Sequence, residues 1–136
     1  MPKTYSQLYI ALRRALRESG VEAFGLESRL ILAHAAGKTT EKLLQGMSLY
    51  ASDEVEKRAD EYLSRRLAGE PVAYITGSWE FYGLPLEITT DVLIPRDDTE
   101  VLVERALRLL RPRHSDARIL DLCTGSGCIG CALARE

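Results

Sequence analysis

The chain has 136 residues, 18 basic and 20 acidic side chains for a formal charge of −2, and a hydrophobic content of 46%. That composition excludes wholesale disorder, and neither half is basic enough for nucleic-acid binding driven by phosphate neutralisation: residues 1–70 carry 11 basic against 10 acidic groups, residues 71–136 carry 7 against 10. No apolar run approaches the roughly 20 residues that span a bilayer, and the segment from Met1 to Ser6 lacks the features of a secretory signal.

Helical signals fill residues 1–70. Thr4-Tyr5-Ser6-Gln7 reads as a capping box, and Tyr5, Leu8, Tyr9, Leu12, Ala15 and Leu16 recur at helical spacing. Arg13, Arg14, Arg17 and Glu18 take the other face as a solvated surface, and Gly20 stops the helix. A second helix is expected from Gly25 to Ala36, with Leu26, Leu30 and Ala33 inward and Gly37 as terminator. Thr39 or Thr40 caps a short third helix carrying Leu43 and Leu44 and ended by Gly46. Ser52 caps a fourth, with Asp53 and Glu54 in its first turn, Arg65 and Arg66 in its last, and a stripe of Val55, Ala59, Tyr62, Leu63 and Leu67. Gly69 and Pro71 close it. Within this half His34 is the only histidine, so no metal site is assigned to it.

Residues 71–95 read as a β-hairpin linker. Tyr74, Trp79, Phe81 and Tyr82 cluster here, Trp79-Glu80-Phe81 and Leu86-Glu87-Ile88-Thr89 alternate, and Gly83-Leu84-Pro85 is the expected turn. After Leu93-Ile94-Pro95, Asp97 is expected to cap a helix with Glu100 as the reciprocal partner, the helix running through Val101, Leu102, Leu107 and Leu110 to Pro112. Asp97, Asp98 and Glu100 are read as charges complementing that helix end.

Residues 118–135 carry the chemistry. Arg118-Ile119-Leu120-Asp121-Leu122 is expected to be a strand ending in a carboxylate, Cys123-Thr124-Gly125-Ser126-Gly127 a loop, and Cys128 onward an apolar helix. Strand, glycine loop and helix open a nucleotide-binding α/β unit, whose free N–H groups suit a negatively charged ligand group. Three readings fit these residues. Gly125-Ser126-Gly127-Cys128-Ile129-Gly130 matches G-x-G-x-x-G, as in dinucleotide sites. Cys123, Cys128 and Cys131 have the spacing of a plant-type [2Fe–2S] loop, without its fourth cysteine. Lastly, an acid at the strand end opening a D-x-x-T-G-S-G loop suits S-adenosylmethionine. The three cysteines, odd in number and confined to nine positions, do not form a secretory disulfide framework, so a reducing cytoplasm is expected.

Four ordered blocks resemble one family. They are Gly69-Glu70-Pro71-Val72-Ala73-Tyr74-Ile75-Thr76-Gly77, then Glu80-Phe81-Tyr82-Gly83-Leu84, then Leu93-Ile94-Pro95-Arg96 with Thr99-Glu100, and Ile119 through Gly127. Together they resemble the HemK/PrmC family of release-factor glutamine N5-methyltransferases, and the helical first half resembles that family's N-terminal domain. The resemblance implies a mixed fold: an all-α bundle (1–70) that docks the substrate, a β-hairpin linker (71–95), and the start of a Rossmann-like class I methyltransferase domain (96–136). It implies S-adenosylmethionine as cofactor, a class 1 peptide-chain release factor as partner with no direct nucleic acid or membrane, and a role in translation termination. Cofactor contacts are expected from Asp121, Thr124, Gly125, Ser126, Gly127 and the backbone of Cys123. Two departures stand out: Asp97 replaces a usual proline, and Cys123 replaces a frequent glycine, which requires a negative φ there. The family's catalytic Asn-Pro-Pro-Tyr motif is absent from these residues, so no catalytic residue is assigned and the chain by itself is expected to be inactive. The alternatives are a non-catalytic docking module and part of a nucleotide-binding oxidoreductase.

Overall fold

The computed structural model describes residues 1–112 and 117–136, and their main chain divides into two units, Met1–Thr76 and Gly77–Glu136. Among the described residues no helix is long and apolar enough to cross a membrane.

In the first unit, local capping chemistry decides where three of the helices start. Helix α1 (Tyr5–Glu18) begins at a complete capping box: the Gln7 N–H donates to Thr4 Oγ1 at 3.3 Å, and the Thr4 N–H donates to Gln7 Oε1 at 2.9 Å. Two further first-turn donors are satisfied from afar, Tyr5 N–H by the Leu49 carbonyl and Ser6 N–H by that of Met47. Thr39 caps α3 (Thr40–Gln45), and Ser52 caps α4 (Asp53–Leu67). Three helices end the same way. After α1, α2 (Phe24–Ala36) and α4, a glycine at positive φ (Gly20, Gly37, Gly69) lets the next N–H groups reach back into the last turn.

The packing departs from the expected stripes at α2. Leu26 is exposed and Leu30 only half-buried, whereas Ser28, Ile31, Leu32, Ala33 and Ala35 are buried. The reason is position: α2 packs against α1, α3, α4 and the short α5 (Val72–Thr76), so apolar residues lie round most of its circumference and periodicity alone selects no single face. Ser28, fully buried, stays satisfied by donating to the Phe24 carbonyl at 2.5 Å. On α4 only Ala59 is fully buried, and Leu67, expected inward, is exposed. Residues 72–76, expected in the linker, form α5, whose Val72, Ala73 and Ile75 are buried in this unit. A partly buried ion pair, Arg66 with Glu27 at 2.6 Å, ties α4 to α2, while Arg65 grips Glu70 through two bonds of 2.7 and 2.6 Å.

The second unit opens with an antiparallel hairpin, β1 (Ser78–Phe81) and β2 (Leu84–Glu87), in the register Phe81↔Leu84 to Ser78↔Glu87. Its turn is Tyr82-Gly83, not Gly83-Leu84-Pro85, and both turn residues have positive φ (50° and 68°), the hand that matches strand twist. Helix α6 (Asp98–Leu110) starts without the expected cap: the Asp97 side chain accepts no capping bond, and Glu100 turns to the hairpin instead, accepting from the Tyr82 N–H at 2.7 Å. Val103 and Leu107 are its buried residues, while Val101 and Leu102 are half exposed. Helix α7 (Cys128–Arg135) contributes Cys128 and Ala132 to a core shared with Phe81, Val103 and Leu107.

Residues 118–122 are not a strand. Ile119, Leu120 and Leu122 are 48%, 79% and 75% exposed, and no ladder forms. A parallel strand exists only through neighbours that pair with it and layers that cover it, and the described residues supply neither. What the structure contains of the expected mixed fold is therefore the helical unit and a two-stranded sheet; the Rossmann-like sheet is not formed by these residues.

Candidate functional site

The glycine turn between Asp121 and α7 is built around one carboxylate oxygen. Asp121 Oδ2 accepts the Thr124 hydroxyl at 2.8 Å and the Gly130 N–H at 3.1 Å. Gly130 is the third residue of α7, and Gly127, at that helix's N-cap position, has no side chain with which to cap it. Asp121 therefore performs from nine residues away the work a capping side chain usually does, with its negative charge at the positive end of the helix dipole. A Cβ on Gly130 would lie 3.2 Å from that same oxygen, which is why glycine suits the position.

The turn itself needs left-handed backbone. Gly125 and Gly127 sit at φ +59° and +78°, and the Gly127 N–H closes a turn onto the Thr124 carbonyl at 3.0 Å. Cys123 also has a positive φ, +56°, contrary to the negative value expected of a non-glycine residue. The loop's course imposes this conformation on a side chain that glycine would spare, at a cost of roughly 1–2 kcal/mol.

Of the expected site residues, the structure brings Asp121, Thr124 and Gly127 into one bonded cluster. Cys123 and Ser126 belong to the same turn, but their side chains make no bond to it, and Gly125 lies open, with nothing within 4 Å of an added Cβ. Among the described residues the N–H groups of Ser126, Cys128 and Ile129 have no acceptor, and no donor reaches Asp121 Oδ1. The turn thus presents unpaired donors beside an unpaired acceptor. Those groups fit a ligand carrying both a carboxylate or hydroxyl oxygens and a hydrogen-bond donor, as the amino-acid and ribose parts of S-adenosylmethionine do. Among the described residues no three His, Cys, Asp or Glu side chains converge as a metal site.

Sequence reading missed Gly130 as a partner of Asp121, although the third glycine of G-x-G-x-x-G marks it. Arg135, which donates to the Tyr82 carbonyl at 2.8 Å, was also missed; no local pattern marks it.

Comparison with known proteins bears on both units. Residues 7–77 match the family model described as the PrmC N-terminal domain. Relatives named release factor glutamine methyltransferase match most of the chain. The Haemophilus influenzae protein is 39% identical over 130 residues, covering 93% of this chain and 44% of the relative. The Aliivibrio fischeri protein is 42% identical over 123 residues, covering 90% and 43%. The Escherichia coli protein is 43% identical over 110 residues, covering 81% and 39%. The chain spans less than half the length of these relatives. This chain, a helical unit followed by a hairpin and an acid-anchored glycine turn, is thus similar in sequence over most of its length to proteins named as methyltransferases. The chain belongs to the HemK/PrmC family.

Proposed function

We propose that the protein to which these residues belong is an S-adenosylmethionine-dependent methyltransferase of the cytoplasm. It methylates the side-chain amide nitrogen of the glutamine in the Gly-Gly-Gln motif of class 1 peptide-chain release factors, acting in translation termination. The observation that carries the reading is that the likeness to relatives of that name covers 93% of the chain.

Each segment then has a task. The helical residues 1–70 dock the release factor, residues 71–95 link, and residues 96–136 open the methyltransferase domain. When bound, the cofactor supplies a methyl group activated by its sulfonium. Asp121 accepts a bond from the ligand's donor side, and the free N–H groups of Ser126, Cys128 and Ile129 donate to its oxygens. Gly125 lets the backbone of Cys123 and Thr124 approach without a Cβ between. These residues bind and orient, which is where much of the acceleration of a poor nucleophile originates. An amide nitrogen is such a nucleophile, because its lone pair is delocalised into the carbonyl. By family resemblance the groups that draw out that lone pair lie in an Asn-Pro-Pro-Tyr motif outside these 136 residues, so we assign no catalytic residue here.

The test is transfer from methyl-labelled S-adenosylmethionine to a purified class 1 release factor by the complete protein, with the product digested and sequenced by mass spectrometry. Label on the glutamine of Gly-Gly-Gln is expected. Label on another residue, or no transfer, overturns the proposal.

A further inference from the structure

The hairpin tip is gripped from both sides by charged groups that binding at the glycine turn does not use. Tyr82, at φ +50°, holds a left-handed conformation that non-glycine residues seldom adopt. Its N–H donates to Glu100 Oε1 at 2.7 Å, and its carbonyl accepts from the Arg135 guanidinium at 2.8 Å. The main-chain donor and the main-chain acceptor of Tyr82 are therefore both tied to charged side chains, the stronger class of hydrogen bond. Glu100 lies in the first turn of α6, where a carboxylate favours the helix dipole, and Arg135 lies in the last turn of α7, where a cation does. Arg135 is itself steadied by Glu136 at 2.8 Å.

Helix α7 connects this clamp directly to the glycine turn. It begins immediately after Gly127 and ends at Arg135, so its eight residues separate the two by about 12 Å of rigid helix. Phe81 from the hairpin, Val103 and Leu107 from α6, and Cys128 and Ala132 from α7 form the core between them.

We propose that Glu100 and Arg135 are positioning residues: by clamping the left-handed Tyr82 peptide they fix α7, and through it the glycine turn, in the geometry that holds a sulfonium nucleoside. The inference rests on the reading of residues 121–127 as the cofactor site. Neither side chain touches the ligand; both act through the helix.

The test measures S-adenosylmethionine affinity by calorimetric titration of the complete protein. Glu100→Ala weakens binding about tenfold, the size set by losing one charge-assisted hydrogen bond. Glu100→Gln, whose amide oxygen still accepts from the Tyr82 N–H, stays within about twofold. The cost of Glu100→Ala shrinks in a Tyr82→Asn background, because asparagine before glycine is a favoured pair for this turn and needs no clamp. In steady-state kinetics the KM for the cofactor rises while kcat at saturation holds. If Glu100→Ala does not fold, Arg135→Ala carries the same comparison with the same expected results. Wild-type affinity in both alanine variants, or an equal cost in both Tyr82 backgrounds, overturns the clamp alone. Failure of the unaltered complete protein to bind the cofactor overturns the clamp together with the reading it rests on.

Discussion

Replacing Asp121 with alanine tests how the glycine turn is held. Its Oδ2 takes the Gly130 N–H at 3.1 Å and the Thr124 hydroxyl at 2.8 Å, so Asp121→Ala strips α7 of its cap and frees an exposed hydroxyl to water. Loss of a cap costs about 1 kcal/mol. The released hydroxyl re-bonds to solvent, so its share is about 0.5 kcal/mol. The second unit should therefore lose about 1.5 kcal/mol, which at a urea dependence of about 1 kcal/mol per molar moves its midpoint down by about 1.5 M. Trp79 is the sole tryptophan and lies in β1, so its fluorescence reports unfolding of this unit. Asp121→Asn keeps an acceptor and loses only the charge–dipole attraction, about 0.5 kcal/mol, and should shift the midpoint by about a third as much. An unchanged midpoint in Asp121→Ala, or equal shifts in the two variants, would refute the capping role.

Other consequences are as direct. Cys123→Gly relieves the positive φ, offset in part by glycine's greater freedom when unfolded, and should stabilise the unit by about 0.5–1 kcal/mol, raising the same Trp79 midpoint; a lower midpoint would mean that the thiol is needed for packing. Thr4→Ala removes the hydroxyl that accepts from the Gln7 N–H, leaving the backbone arm of the α1 capping box, and should cost the helical unit about 1 kcal/mol in urea unfolding followed by far-ultraviolet circular dichroism. Burial, and then the nearby Arg65 charge, pull the His34 imidazole below its ordinary pKa, so folding favours its neutral form. That contribution is present above about pH 6.5 and fades as pH falls below it; the unit should be less stable at pH 5.5 than at pH 7.5, and His34→Gln should flatten the difference. Finally, these 136 residues alone should bind S-adenosylmethionine weakly or not at all, because residues 118–122 stand without a sheet; micromolar binding by calorimetry would contradict this.

What the sequence reveals follows the range of the forces involved. The Thr4, Thr39 and Ser52 caps and the stops at Gly20, Gly37 and Gly69 were legible because each is settled within a few residues. The buried face of α2 was not, since neighbours on several sides decide it. Glu100 and Asp97 were expected to cap α6 together, but the Tyr82 N–H, 18 positions away in sequence, took the Glu100 carboxylate. The hairpin was legible by alternation, and its turn was displaced by one residue because a tyrosine occupies a left-handed position that composition reserves for glycine or asparagine. At the site, the start of α7 at Cys128 agrees with the motif. The strand before it does not form, since strands are properties of sheets.

Hydrogen–deuterium exchange of the complete protein, with and without S-adenosylmethionine, tests the central claim most directly. Slowed exchange at the amides of residues 121–130, strongest at Ser126, Cys128 and Ile129, is the predicted result. Cofactor binding that leaves those amides exchanging at their unliganded rates would show that the acid-anchored turn is not where the nucleoside sits.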